Sequence, residues 1–176
     1  MQAAVGAGLA GLGSVFVGSM ETAARMLQEA IPDPKLPVDI EGTARNIVEQ
    51  WLSAKKIIPG IGHPYHKPVD PRAPRLFEIA AQNGFNGPYI PLMQAIAREA
   101  EKRSGKQLPV NATGAIGAIS SELGLEWQFV RGIGVFARAI GLVGHLREEA
   151  KNPIAWEAKM RIDEEATAHM RDGKPG

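Results

Sequence analysis

Apolar residues recur at helical spacing along most of this chain, and no stretch alternates with the period of two that marks a half-buried strand. Ala23, Ala24, Leu27 and Ile31 share one face of a predicted helix over 21–31, which Pro32, Pro34 and Pro37 end. Asp39 is placed to cap a helix running to about Lys56, with Ile40, Ala44, Ile47, Val48, Trp51 and Leu52 as its stripe. Pro71 and Pro74 suit the first turn of another, continuing through Leu76, Phe77, Ile79 and Ala80 to Gly84. In 91–103, Leu92, Ile96 and Ala100 point inward and Arg98, Glu99, Glu101 and Lys102 outward, before Ser104-Gly105-Lys106 stops the helix. Residues 2–12 form a small-residue helix whose composition suggests close packing and burial, and 115–123 is similarly built. The longest helix, 126–149, is apolar nearly all round from Phe129 to Val143 and reads as a central buried helix. Arg131, Arg138 and His145 are its polar exceptions. Residues 154–176 are charged, with Trp156 and Met160 as anchors and a disordered end. The fold class is all-α.

Composition narrows this picture. A chain of 176 residues can bury a core, and 44% hydrophobic with 22% charged residues is ordinary for a globular protein. A net charge of +1 gives no push towards nucleic acid or membrane surfaces, so anion binding has to be local. The absence of cysteine excludes disulfides, thiolate catalysis and Cys-ligated metal, and fits a reducing compartment such as the cytoplasm. No membrane segment is expected: residues 1–18 are apolar but lack the basic leader of a signal peptide. A chain that opens directly in an apolar stretch also fits one that begins part-way into a larger fold.

Residues 58–75 interrupt the helices. Two glycines and five prolines make the stretch neither helix nor strand, yet it carries His63, His66, Lys67, Asp70, Arg72 and Arg75. A stiff loop rich in donors is a natural site for an anionic ligand, and equally a proline-rich connector with solvated charges. His63, flanked by Gly60-Ile61-Gly62, can exchange a proton with a ligand that approaches the backbone. His66 lacks the partners a metal site needs. Arg72 can fork onto a ligand carboxylate or pair locally with Asp70, Lys67 suits a phosphate, and Arg75 can simply face water. Arg138 lies within an apolar run, where a buried guanidinium needs an anion, either an internal carboxylate or a ligand. Asn111 and Thr113 can orient a ligand, although capping the helix that starts near Gly114 is the simpler role.

Taken together, Gly60-Ile61-Gly62-His63, Asp70-Pro71-Arg72, the Asn111 region and the Arg138 helix resemble the citrate synthase superfamily over about Leu9–Glu149. Ile61-Gly62-His63 and Gly141-Leu142-Val143-Gly144-His145 lean towards its citryl-CoA lyase-type members. The resemblance implies an all-α citrate synthase-like fold, here its C-terminal portion with the small-domain segment over 1–150, then a C-terminal helix and flexible tail over 151–176. It implies an enzyme, lyase or acyltransferase, that joins acetyl-CoA to oxaloacetate or cleaves citryl-CoA, with no permanently bound cofactor and no metal. CoA thioester is the substrate, with citrate or oxaloacetate, and the protein is a cytoplasmic homodimer. By resemblance His63 is catalytic, contacting the carbonyl or alcohol oxygen of the four-carbon acid. Arg72, Arg138 and Asn111 bind that acid, Gly60, Ile61, Gly62 and Lys67 bind CoA, and His145 is structural.

Two departures stand out. Phe16 occupies the place of a catalytic histidine, and Thr113 the place of the aspartate that removes the acetyl methyl proton. A threonine hydroxyl is no base near neutral pH. The alternative is therefore a catalytically weak relative that binds CoA or a polycarboxylate, or a subunit or fragment of a longer enzyme.

Overall fold

In the computed structural model, which describes residues 1–12 and 17–171, eight helices follow one another: α1 Gln2–Ala10, α2 Gly18–Ala30, α3 Ile40–Ser53, α4 Arg72–Gln82, α5 Tyr89–Ser104, α6 Ala112–Glu122, α7 Trp127–Lys151 and α8 Ala155–Arg171. Among the described residues the only extended pairing is one antiparallel bridge, Ile61 with Val110. Phe16 lies outside the described residues. The chain divides into two compact units, Leu12–Val135 and Met1–Gly11 with Phe136–Gly176.

The first unit holds the core. Leu27, Ile31, Val48, Leu92, Met93, Ile96 and Val130 are its largest fully buried apolar side chains, and Leu27, Ile31, Val48, Leu92 and Ile96 stand on the faces expected from sequence. Asp39 caps α3 by accepting from Gly42 N at 3.0 Å. Gly105 closes α5 in the left-handed conformation (φ 65°). The start of α5 is capped from a distance: Glu122 Oε1, at the end of α6, accepts from Tyr89 N (2.8 Å) and Ile90 N (3.1 Å). The Tyr89 hydroxyl donates to Ile31 O at 2.9 Å within the core. The α2 and α6 helices approach closely because Gly117 has no side chain; a Cβ there would stand 2.9 Å from Ala24 N and 3.0 Å from Met20 O.

Three expectations about burial need correction. The α1 helix has no buried residue, despite its small side chains. The α7 helix is not a central buried helix: Val130 and Gly134 are its only buried residues, and Arg138 is exposed. The α8 helix also buries nothing, and the expected anchors Trp156 and Met160 are exposed. An apolar composition states that a surface is costly to leave in water; it does not state what covers it. By length and composition alone α7 is long and apolar enough to cross a membrane. Arg131 and Arg138 in its interior would be costly in hydrocarbon.

Candidate functional site

Within the first unit, the loop leaving α3 is stitched to the start of α6. Gly60 O accepts from Asn111 N (3.0 Å), and Gly62 N donates to Pro109 O (2.7 Å). The Asn111 side chain completes the join: Nδ2 donates to Gly62 O at 2.7 Å. Its Oδ1 accepts from Thr113 N, Gly114 N and Thr113 Oγ1, which caps α6. Asn111 therefore acts as helix cap and loop clasp. The glycines serve the same join. Gly60 has φ +85°, and a Cβ on it would stand 2.6 Å from Gly114 Cα. This approach of two backbones is possible only where both residues lack side chains.

His63 follows directly. Its Nδ1 accepts from Tyr65 N and His66 N, both at 3.1 Å. Two amides aimed at Nδ1 fix that nitrogen as unprotonated, so Nε2 carries the proton of the neutral imidazole. The His66 ring packs beside it, centroids 4.4 Å apart. Among the described residues no group of three His, Asp or Glu side chains is arranged to hold a metal.

Arg72 opens α4. Both halves of the local pair envisaged from sequence are present: Nε donates to Asp70 Oδ1 at 2.9 Å and Nη2 to Asp70 Oδ2 at 2.8 Å. The Arg72 amide adds a bond to Oδ1 (3.1 Å), and Ala112 N one to Oδ2 (3.0 Å). These four donors, the guanidinium foremost, hold the Asp70 carboxyl far below the usual carboxylate range, against the opposing effect of burial. The same bond raises the Arg72 guanidinium above its ordinary value. Arg72 Nη2 also stands 3.4 Å from His63 Nε2. With Nε2 protonated, these are two donors converging on one space, and an anionic oxygen between them satisfies both.

A cavity of ≈ 340 Å³ borders this corner, lined by Gly62, His63, Lys67, Lys106, Gln107 and Leu108. Lys67 and Lys106 bring two exposed cations to it. Lys106 and Gln107 escaped the sequence reading as site residues: in it Lys106 belongs only to a helix stop, and Gln107 to no element. The available signal was their position, five and four residues ahead of Asn111. Arg75 pairs with Glu78 at 2.6 Å on the surface. Thr113 Oγ1 donates its proton to Asn111 Oδ1 at 2.7 Å. Arg138 and His145 belong to the second unit; both are exposed, and His145 Nδ1 lies 3.2 Å from Glu148 Oε2.

Residues 1–159 match the sequence profile of the family described as citrate synthase, C-terminal domain. The fold is similar to that of citryl-CoA lyase from Hydrogenobacter thermophilus, with TM-score 0.74 and 38% identity over 84% of this chain and 55% of that one. ATP citrate lyase from Methanothrix soehngenii, solved in complex with citrate and coenzyme A, aligns with TM-score 0.61 and 25% identity over 81% of this chain and 24% of that one. Citrate synthase from Thermotoga maritima shares the fold at 21% identity (TM-score 0.62), over 80% of this chain and 37% of that one. In sequence, a probable ATP-citrate synthase from Dictyostelium discoideum is 27% identical over 164 residues, 82% of this chain and 25% of the relative. The chain thus spans between about a quarter and about half the length of these relatives. The expected resemblance and the all-α fold are both shown, and the chain belongs to the citrate synthase family, through its C-terminal domain.

Proposed function

We propose that this chain forms the acid- and CoA-binding part of a citryl-CoA lyase-like or citrate synthase-like enzyme, handling the C–C bond between acetyl-CoA and oxaloacetate. The observation that carries this reading is the convergence of His63 Nε2 and Arg72 Nη2, 3.4 Å apart, with the imidazole proton fixed on Nε2. A 2-oxo or 2-hydroxy carboxylate suits that pair: its carboxylate on Arg72, its neighbouring oxygen on His63. In citryl-CoA cleavage the hydroxyl proton passes to solvent water as the acid's carbonyl forms, and the C–C electron pair leaves with the thioester as its enolate. The enolate carbon then takes one proton from water to give acetyl-CoA, so the cleavage is proton-neutral overall. Neutral His63 donates to the oxygen as it passes between alkoxide and carbonyl, an electrostatic role. It does not take the hydroxyl proton, because its lone pair is on Nδ1 and already engaged. Lys67 and Lys106 supply phosphate contacts for CoA beside the Gly60–Gly62 turn. CoA is a substrate that comes and goes. The family's ligands support both assignments: one relative is named as citryl-CoA lyase, and another was solved with citrate and coenzyme A.

We place the protein in the cytoplasm as a homodimer. Phe136, Ile140 and Val143 line one face of α7 at 69%, 60% and 47% exposure, an apolar strip that a second copy would cover. Size-exclusion chromatography with light scattering tests the dimer; a monomer at micromolar concentration refutes it.

A second reading is favoured by Thr113, whose hydroxyl donates to Asn111 and cannot enolise a thioester. Asp70 offers no substitute, because its oxygens already accept four hydrogen bonds. On that reading the chain is a catalytically weak relative that binds CoA and a polycarboxylate, or a subunit of a longer enzyme. Assays of citryl-CoA cleavage and of oxaloacetate-dependent CoA release, beside calorimetry with CoA and citrate, separate the two. Turnover lost in His63→Ala supports the enzyme. Binding without turnover supports the second reading. A folded protein that binds neither ligand refutes both.

A further inference from the structure

We propose that Asp70 is a positioning residue: it aims the Arg72 guanidinium at the bound acid and locks that aim to the first turn of α6. The inference rests on the reading of Arg72 as a substrate carboxylate donor. Its ground is an asymmetry. The Arg72–Asp70 pair has an acid at 0% exposure and a base at 51%, whereas Arg75–Glu78 and Arg25–Glu29 are exposed on both sides. Burying a carboxylate is costly unless its lone pairs are filled, and here all four acceptor positions are taken. Such a group holds geometry; it does not merely decorate a surface.

The choice of donors shows which geometry is held. Asp70 takes the side edge of the guanidinium, through Nε and Nη2. A guanidinium has a second fork, formed by Nη1 and the outer hydrogen of Nη2. That fork is left for a ligand, on the side where Nη2 lies 3.4 Å from His63. Asp70 therefore selects end-on binding of the substrate carboxylate by Arg72.

The fourth bond explains why residues nine positions apart meet. The segment is anchored twice on the same turn of α6: at Gly60 and Gly62 by Asn111, and at Asp70 by the Ala112 amide. His63 follows the first anchor by one residue and Arg72 follows the second by two. Loss of the Asp70 anchor leaves His63 in place and releases Arg72.

The test is Asp70→Asn, Arg72→Ala and the double variant, with citrate and CoA titrated by calorimetry and the Arg72 Nε–H followed by NMR. Asp70→Asn is expected to weaken citrate at least tenfold and CoA less than twofold. Its Nε–H signal should broaden and exchange faster. In the Arg72→Ala background the same change should cost citrate less than twofold, because its effect runs through Arg72. Citrate affinity within twofold of wild type in Asp70→Asn, or a full additive loss in the Arg72→Ala background, overturns the proposal. If the wild type binds no citrate, the reading of Arg72 as a substrate donor fails. The Nε–H signal then decides the positioning alone, and its retention in Asp70→Asn overturns it. If Asp70→Asn does not fold, the through-bond coupling between Arg72 Nε and the Asp70 carboxylate carbon in the wild type decides, and its absence overturns the proposal.

Discussion

Replacing Gly114 by alanine will pry the His63 loop off α6. Gly114 sits in the first turn of that helix, and a Cβ there would stand 2.2 Å from Gly60 O, 2.8 Å from Gly60 C and 2.9 Å from Gly60 Cα. These are backbone atoms, so no rotamer change relieves the overlap. Carbon and carbonyl oxygen rest at about 3.3 Å or more, so the Gly60 carbonyl has to retreat by roughly 1 Å. That retreat stretches the 3.0 Å bond from Asn111 N beyond bonding range and strains the 2.7 Å bonds at Gly62. Overpacking of this kind costs about 1–3 kcal/mol, and one or two lost hydrogen bonds about 0.5–1.5 kcal/mol each. The better helix propensity of alanine returns about 1 kcal/mol, which leaves a net loss between about 0.5 and 5 kcal/mol, roughly 3 kcal/mol at mid-range. For a chain of this size, that loss lowers Tm by roughly 5–15 °C. Gly132→Ala is the control: it lies exposed in α7 with nothing within 4 Å of the added carbon, and should gain about 0.5–1 kcal/mol. Thermal and urea unfolding followed by circular dichroism measure both, and calorimetry with citrate reads the site at low temperature, where both variants are folded. If Gly114→Ala unfolds within about 1 kcal/mol of wild type and binds citrate equally well, the loop is not held by this contact and the account is wrong.

Asn111→Ala removes a helix cap and the clasp on Gly62 together and should cost about 2 kcal/mol by urea unfolding; a loss under about 0.5 kcal/mol would show that the clasp contributes little. Asp70 titrates far lower in the folded state than the ordinary value of about 3.9. The stability it contributes is therefore complete above that value and is lost as pH falls below about 4 towards the depressed folded value. The wild-type advantage over Asp70→Asn should be level from about pH 5 to 8 and shrink below about pH 4; a gap that widens in acid contradicts the linkage. Lys106→Ala should weaken CoA by about fivefold, equivalent to about 1 kcal/mol, and flatten the salt dependence of its binding measured by calorimetry. Glu122→Ala leaves the two amides at the start of α5 without their carboxylate and should cost about 1–2 kcal/mol in chemical denaturation, with citrate affinity unchanged.

The helical periodicity of this chain was enough to place α2, α3 and α5 and their buried faces, because a 3.6-residue repeat is a local property of the sequence. Leu27, Val48, Leu92 and Ile96 lie fully buried where that repeat puts them, and Asp39 and Gly105 close helices where their backbone chemistry requires. Motif order and spacing also carried the family. Local pattern could not say that α1, α7 and α8 stay largely exposed, since coverage depends on what packs against a face. Nor could it say which of two roles Arg72 and Asn111 take, because each has one partner set by sequence neighbours and another set by α6 or the Gly62 turn. Gly60 shows the division most clearly. Its sequence permits an unusual backbone, and only the fold reveals that the freedom is spent on meeting Gly114, 54 positions along the chain. The sequence by itself determined the helices, the family and the donors available at 58–75. The tertiary structure alone decided that Arg72 Nη2 meets His63 Nε2, that Ala112 N anchors Asp70 and that Lys106 joins Lys67 beside them, because those depend on distances between residues that the chain keeps apart.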